Sequence, residues 1–394
     1  MHKSFLLIGS LILAASPALA EKPSSALSSA STPESTTAAA VTAGRAFLAT
    51  FDAASRPKVQ FAFVEKKFGT LIRFRRTAPD QPVAPVTGEQ AKAPVRRGPG
   101  MGPPEGFIGE QYGVGIWSNY PVSDVLRPGL QMGQLTPDQK AAAFHLLQTL
   151  LSAKGYQKVQ DIMGADQALS ETETHFASGQ AVYTIAILGE PSETTPWMVQ
   201  FGGHHLGLNI VIDGPHGTMT PTLTGAQPAL FKRGNETVRV LSGENDKAFA
   251  FLNSLSATQR AQAILPYQVA DLVQGPGHDG ESIIPEGIKG STLTTQQKAL
   301  LMEVITEWAG IINTTYAAPH MQEIRDTLNE TWFAWSGPTT HEPNRNGSSY
   351  YRIQGPHLWI EFSPQGVGGD PTLHVHTVYR DPSNSYGSRW FTAQ

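Results

Sequence analysis

The run "FGGHHLGLNIVID" (Phe201–Asp213) holds the key to the chain. From Leu206 onward apolar and other residues alternate, as they do on a β-strand whose two faces meet different surroundings. Two histidines stand directly before that alternation. Leu206, Leu208 and Ile210 read as core-facing, which groups His204 with them and places His205 with Gly207 and Asn209 on the opposite face. A second run, "LHVHTVYR" (Leu373–Arg380), repeats the pattern with histidines two apart. There His374, His376, Val378 and Arg380 share one face, while Leu373, Val375, Thr377 and Tyr379 share the other. In a third run, "HLWIEF" (His357–Phe362), Leu358, Ile360 and Phe362 form the apolar face and leave His357, Trp359 and Glu361 opposite.

If these strands are neighbours, one sheet face collects His205, Asn209, His357, Glu361, His374, His376 and Arg380. Several imidazoles and a carboxylate suit a divalent transition metal, Zn²⁺ first, with Fe, Mn or Cu as alternatives. His374 and His376 are the expected ligands, joined by His204 or His205. Adjacent histidines on a strand point to opposite faces, so the doublet offers at most one ligand. His357 and Glu361 are candidates for a fourth ligand or a general base, and Arg380 for orienting an anionic group.

Further strands are expected in "VQFAFVEKKFGTLIRFRR" (Val59–Arg76), Ala181–Glu190, Trp197–Asp213 and Tyr350–Gly355. Three segments share L-[ST]-x-x-Q-[KR]-A, beginning at Leu135, Leu255 and Leu293. Each is a capping box: Thr136, Ser256 or Thr294 accepts from a first-turn amide, and Gln139, Gln259 or Gln297 reaches back. Long helices are expected over Leu293–Asn313 and Pro319–Trp335. Consecutive strands with helices grouped between them predict an α+β fold, a mostly antiparallel sheet packed with long helices.

The first twenty residues read as a signal peptide: Lys3, an apolar core from Phe5 to Ala15, then Ala18-Leu19-Ala20. That core is shorter than the ~20 residues a membrane helix needs. The expectation is an exported protein, periplasmic or secreted, with no membrane span after signal removal. Residues 21–40 are rich in Ser, Thr, Ala and Pro and suggest a disordered lead-in. A single domain is expected from 41 to 394, interrupted by an exposed Pro/Gly-rich insert at 77–106. With no cysteine, disulfides, thiolate metal sites and cysteine nucleophiles are excluded. A formal charge of −4 and short basic clusters argue against nucleic acid. The expected partner is a small-molecule substrate or ligand.

"GPGHDG" (Gly275–Gly280) matches G-x-G-x-x-G but opens no helical pattern, so it does not read as a nucleotide loop. Gly368-x5-His374-x-His376-x4-Asp381 resembles the spacing of the first cupin motif, with Asp381 in place of Glu. Helical stretches of this length do not suit the cupin jelly roll.

Taken together, "GGHHLGLN", "TPTLTGAQPA" (Thr220–Ala229) and "LHVHTVYRDPSNSYG" (Leu373–Gly387) resemble the bacterial and fungal family known as domain of unknown function 3500. The resemblance runs from about Val41 to the C-terminus. Asn209, Tyr379, Arg380, Asp381, Asn384, Tyr386 and Gly387 fall on its pattern, and Ser385 stands where the family has Asp. It strengthens the choice of site and implies no reaction; Asn209, Tyr379 and Asp381 are the candidate substrate-binding residues. The residues themselves point to a metal-dependent enzyme, most simply a hydrolase acting on a small or anionic substrate. A non-catalytic metal or ligand carrier and a non-haem Fe or Cu redox enzyme are the alternatives.

Overall fold

A computed structural model describes residues 31–78, 81–86, 103, 105–172, 174 and 176–391. The signal-peptide segment and positions 21–30 of the expected lead-in lie outside those residues, as does most of the insert. Within the insert, Ala84–Pro85 pairs with Phe74 and Arg75 as a short strand, and Val83 is buried.

The framework is a twelve-stranded sheet. Its strands run across in the order Gln60–Phe61, Thr184–Leu188, Trp197–Gly203, Leu206–Asp213, Thr222–Ala226, Val375–Arg380, Leu358–Pro364, Tyr350–Gly355, Trp332–Ser336 and Ile288–Lys289. Leu130–Gln131 and His216–Thr218 pair off this path. Among the described residues every pairing in the path is antiparallel except that of Gln60–Phe61 with Thr184–Leu188. Trp197–Asp213 is not one strand but a hairpin. Gly203 pairs with Leu206, so His204 and His205 form its two-residue turn.

Strand alternation sorts residues as the sequence predicts. Leu206, Leu208, Ile210, Leu358, Ile360, Phe362, Val375 and Tyr379 pack in the main core with the helices. The opposite face carries Gly207, Asn209, Trp359, Glu361, His376, Val378 and Arg380. There Trp117, Leu223, Trp359 and Val378 make a separate apolar cluster, against which Leu272 and Val273 pack. Trp117 belongs to a four-stranded sheet formed by Thr70–Arg75, Ala84–Pro85, Phe107–Tyr112 and Gly115–Trp117. Because the central strands are covered on both sides, Leu206–Ile212 is wholly buried.

All three capping boxes form, at Thr136, Ser256 and Thr294, opening the helices Pro137–Leu150, Ala257–Ala263 and Thr295–Ala309. The expectation of long helices does not hold. The longest described helix is Ala153–Ser170, of 18 residues. The helix expected at Pro319–Trp335 instead runs Thr314–Asp326 with Pro319 inside it, and Trp332–Ser336 is a sheet strand. Its aromatic, alternating residues favour a strand once neighbours on both sides can pair with it. Residues 33–40, assigned by composition to the lead-in, are helical: Pro33–Ala49 is capped by Thr32 and buries Ala40, Val41 and Phe47. Its small residues let that helix pack closely, which composition alone reads as low complexity. No described helix is long and apolar enough to cross a membrane.

Thr222–Ala226 joins the histidine hairpin to the C-terminal strand, and Gly225 faces His376 across it. A Cβ on Gly225 would lie 2.6 Å from the Val375 carbonyl oxygen and 3.2 Å from the His205 Cβ. Gly225→Ala is therefore expected to lower stability by about 1–3 kcal/mol through overpacking, measured by urea denaturation.

Candidate metal centre

His205 lies in the left-handed region at φ 60°, a conformation histidine enters more readily than most side chains. That turn directs its ring toward the C-terminal strand. His374 immediately precedes Val375–Arg380 and His376 lies within it, two residues on and facing the same way. Ring centroids are 4.9 Å apart for His205 and His374, 5.2 Å for His205 and His376, and 4.8 Å for His374 and His376. One nitrogen from each ring lies within 4.8 Å of the other two.

The partners of these rings set their tautomers. His374 Nδ1 is 2.7 Å from the Val367 carbonyl oxygen, which can only accept, so this nitrogen carries the hydrogen. His376 Nδ1 faces Asp271 Oδ1 at 3.2 Å, and His205 Nδ1 faces Asn119 Oδ1 at 3.0 Å. With all three Nδ1 positions donating, each Nε2 is left with a lone pair. His374 Nε2 and His376 Nε2 are 3.0 Å apart. Two lone pairs at that separation repel unless a proton or a metal ion lies between them. Two imidazoles bound at ~2.05 Å, with roughly 90–110° between the bonds, put their nitrogens ~2.9–3.4 Å apart. Gln227 Oε1 stands 3.5 Å from His205 Nε2, at the outer limit of hydrogen bonding.

Burial favours the neutral form of His374 and His205. It is the main cause lowering the His374 pKa to about 3, with His376 adding to it. His205 is held well below the ordinary histidine range by burial and then by the imidazoles of His204, His374 and His376. Neutral imidazole is the form that ligates.

His204 does not join the triad. Its ring lies against that of His205, centroids 3.6 Å apart, and its Nδ1 meets Asp166 Oδ1 at 2.8 Å. Its placement with the core leucines is corrected likewise, since both histidines occupy the turn. Of the doublet, His205 offers a nitrogen to the cluster and His204 does not.

Glu361 and Arg380 are on the expected face but in separate networks. The Glu361 carboxylate accepts from the amides of Val273 and Gln274, from the Tyr350 hydroxyl and from Trp359 Nε1, all at 2.7–2.8 Å. Four donors saturate it, leaving no lone pair directed at the histidines. Arg380 pairs with Glu110 at 2.7 Å and Asp279 at 3.3 Å, and donates to the carbonyl oxygens of Gln274 and Gly275. A guanidinium so occupied cannot orient a substrate anion. Ser385 donates to Asp279; an Asp here would add a third carboxylate beside Glu110 and Asp279. Together Glu361, Arg380 and Glu110, which accepts from the Gly277 amide, fasten the loop 271–279 that carries Asp271. All but the last residue of "GPGHDG" lies in that loop.

His357 sits in the turn between Tyr350–Gly355 and Leu358–Pro364, bonded to the Ser383 hydroxyl and apart from the triad. Asn209 is buried and structural, accepting from Gln200 Nε2 and donating to the Pro221 carbonyl oxygen. Tyr379 faces the helices. Asp381 accepts from Ser383 and lies 3.6 Å from His320. None of these reaches the histidines. Sequence reading missed Asn119, Asp166, Asp271 and Val367, which hold the rings; except for Val367, they stand 38–105 residues from their histidines with no motif to mark them.

The triad opens on a cleft of about 480 Å³, lined also by Phe107, Tyr120, Phe176 and Leu272. That volume is in the range of small-molecule sites. The family profile for "Protein of unknown function (DUF3500)" matches residues 111–388, more than half the chain. The chain belongs to the DUF3500 family. The match includes all three histidines and their Nδ1 partners. No curated protein and no solved structure is significantly similar to this DUF3500 chain.

Two outcomes follow from these networks. Removing Arg380 leaves Glu110 and Asp279 buried without their counter-charge, so Arg380→Ala should cost roughly 3–5 kcal/mol in urea denaturation. His374 has a folded pKa below its unfolded value, so the stability it contributes is present above about pH 6.5. It is lost as pH falls toward about 3, the unfolded chain taking up protons that the folded chain refuses. For metal-free protein, His374→Gln should make the acid-side slope of stability shallower by up to one proton, roughly 1.4 kcal/mol per pH unit.

Proposed function

We propose that this DUF3500 chain is an exported metal-dependent enzyme, most simply a hydrolase, whose divalent transition ion is held by Nε2 of His205, His374 and His376. The observation carrying this reading is that Nδ1 of each ring faces an oxygen while one nitrogen of each ring lies within 4.8 Å of the other two, an arrangement that suits a shared cation. Three imidazoles and no thiolate suit Zn²⁺ first, and Fe²⁺, Mn²⁺ or Cu²⁺ next. The Asp271–His376 pair is the carboxylate–histidine arrangement that raises ligand basicity.

An enzyme is favoured over a carrier because three protein ligands beside an open cleft leave room for a water and a substrate. Such an ion lowers the pKa of bound water toward neutrality. His204, backed by Asp166 and lining the same cleft, takes the proton-accepting role that sequence reading gave to Glu361. With Arg380 sequestered, the acidic groups in the lining are Glu105, Asp124 and Asp271. Asp124 is paired with Arg76. The cleft therefore suits a neutral or cationic small molecule with an apolar part more than an anion. Export rests on the N-terminal segment alone.

Purified protein without a histidine tag should hold about one transition-metal ion per chain by elemental analysis. His374→Ala combined with His376→Ala should reduce that to background. Wild-type protein that stays metal-free after incubation with Zn²⁺, Fe²⁺, Mn²⁺ or Cu²⁺ would rule the centre out.

A further inference from the structure

On the opposite, helix-covered face of the sheet lies a second cavity, of about 180 Å³. Trp308, Ile312, Tyr316 and Trp390 supply its apolar walls, and Tyr379 and His320 its most distinctive polar groups. Tyr379 is buried, yet its hydroxyl has no hydrogen-bond partner. His320 Nε2 is likewise buried and unpaired. Their rings are 6.2 Å apart, so the two groups share the cavity without satisfying each other. His320 Nδ1 faces carboxylates, Glu323 at 3.4 Å and Asp381 at 3.6 Å, which places a hydrogen on that nitrogen; in the neutral ring the lone pair is then on Nε2. Buried polar atoms without partners are rare and call for an occupant.

We infer that this cavity binds one small, neutral, hydroxylated aromatic molecule, its ring against Trp308, Tyr316 and Trp390 and its hydroxyl bridging Tyr379 and His320. A hydroxyl both donates, to His320 Nε2, and accepts, from the Tyr379 hydroxyl. A carboxylate could not donate to Nε2 and would meet Glu323 and Asp381. Arg389, the cation in the lining, is already paired with Glu323 at 3.0 Å. Size agrees, since an apolar cavity of ~150 Å³ accommodates benzene. Tyr379, read from the sequence as substrate-binding, thus lines a pocket separate from the histidine triad, and Asp381 stands behind its His320.

Phenol is the probe, titrated calorimetrically into the full chain both as purified and after chelator treatment and dialysis. One saturable site per chain is expected, with the same affinity in both preparations, because the cavity does not use the histidine triad. Benzene should bind at least tenfold more weakly than phenol. Tyr379→Phe should weaken phenol binding at least threefold, short of the affinity of benzene because His320 Nε2 still accepts, while leaving Tm unchanged or higher, since it removes an unpaired hydroxyl. Absence of saturable phenol binding would overturn the inference, the cavity then holding water only. So would benzene binding as tightly as phenol in the wild type, a comparison that stands even if the Phe variant fails to fold. Phenol binding lost on chelation would also overturn it, by assigning the probe to the metal centre.

Discussion

Antiparallel pairing of Thr222–Ala226 with two strands at once is the constraint on which the rest depends. On one side it registers with Leu206–Leu208, on the other with Val375–Tyr379. Residues 205 and 374, distant in sequence, are brought to one end of the same three-stranded unit. The bridging strand must be slim where they meet, and Gly225 is what makes it so: any side chain there would collide with the Val375 carbonyl. Register matters as much as proximity. A slip of one residue would turn His374 and His376 into the core and bring Val375 and Thr377 out.

Around that unit, buried charge fixes what backbone pairing cannot. The loop bearing Asp271 has no strand to hold it. Its amides and carbonyls are instead tied to Glu361, Arg380 and Glu110. These side chains are far from solvent, so each is tolerable only because its counter-charge or donors are in place. The consequence reaches the histidines, because Asp271 sets the tautomer of His376. Glu361 and Arg380 therefore support the centre by positioning its partners. They share a sheet face with it, which is why alternation picked them out, but facing the same side is a weaker condition than touching.

Much of this was legible beforehand because strands and helix starts are local. Period-two alternation in Leu206–Asp213, Leu358–Phe362 and Val375–Arg380 assigned nearly every side chain to its face, and the three capping boxes marked three helices to the residue. Misreadings arose where the local signal was ambiguous. An uninterrupted run from Trp197 to Asp213 conceals a turn made of two histidines, residues not typical of a tight hairpin. Trp332–Ser336 reads as a continuing helix until neighbouring strands offer it pairing. Pro33–Ala40 resembles a disordered lead-in because the small residues that pack a helix closely also dominate flexible segments.

By itself the sequence determined the composition of the histidine cluster: histidines in two short runs, no thiolate beside them, and an alternation that aims His374 and His376 the same way. Those follow from side-chain chemistry and the two-residue repeat of extended backbone, neither of which needs a partner. Only the tertiary structure decided which histidine of the doublet joins them, which oxygens hold each ring, and that Tyr379 and His320 line one cavity. Such outcomes depend on distances between segments far apart along the chain, and no local pattern encodes a distance that exists only once the sheet has closed.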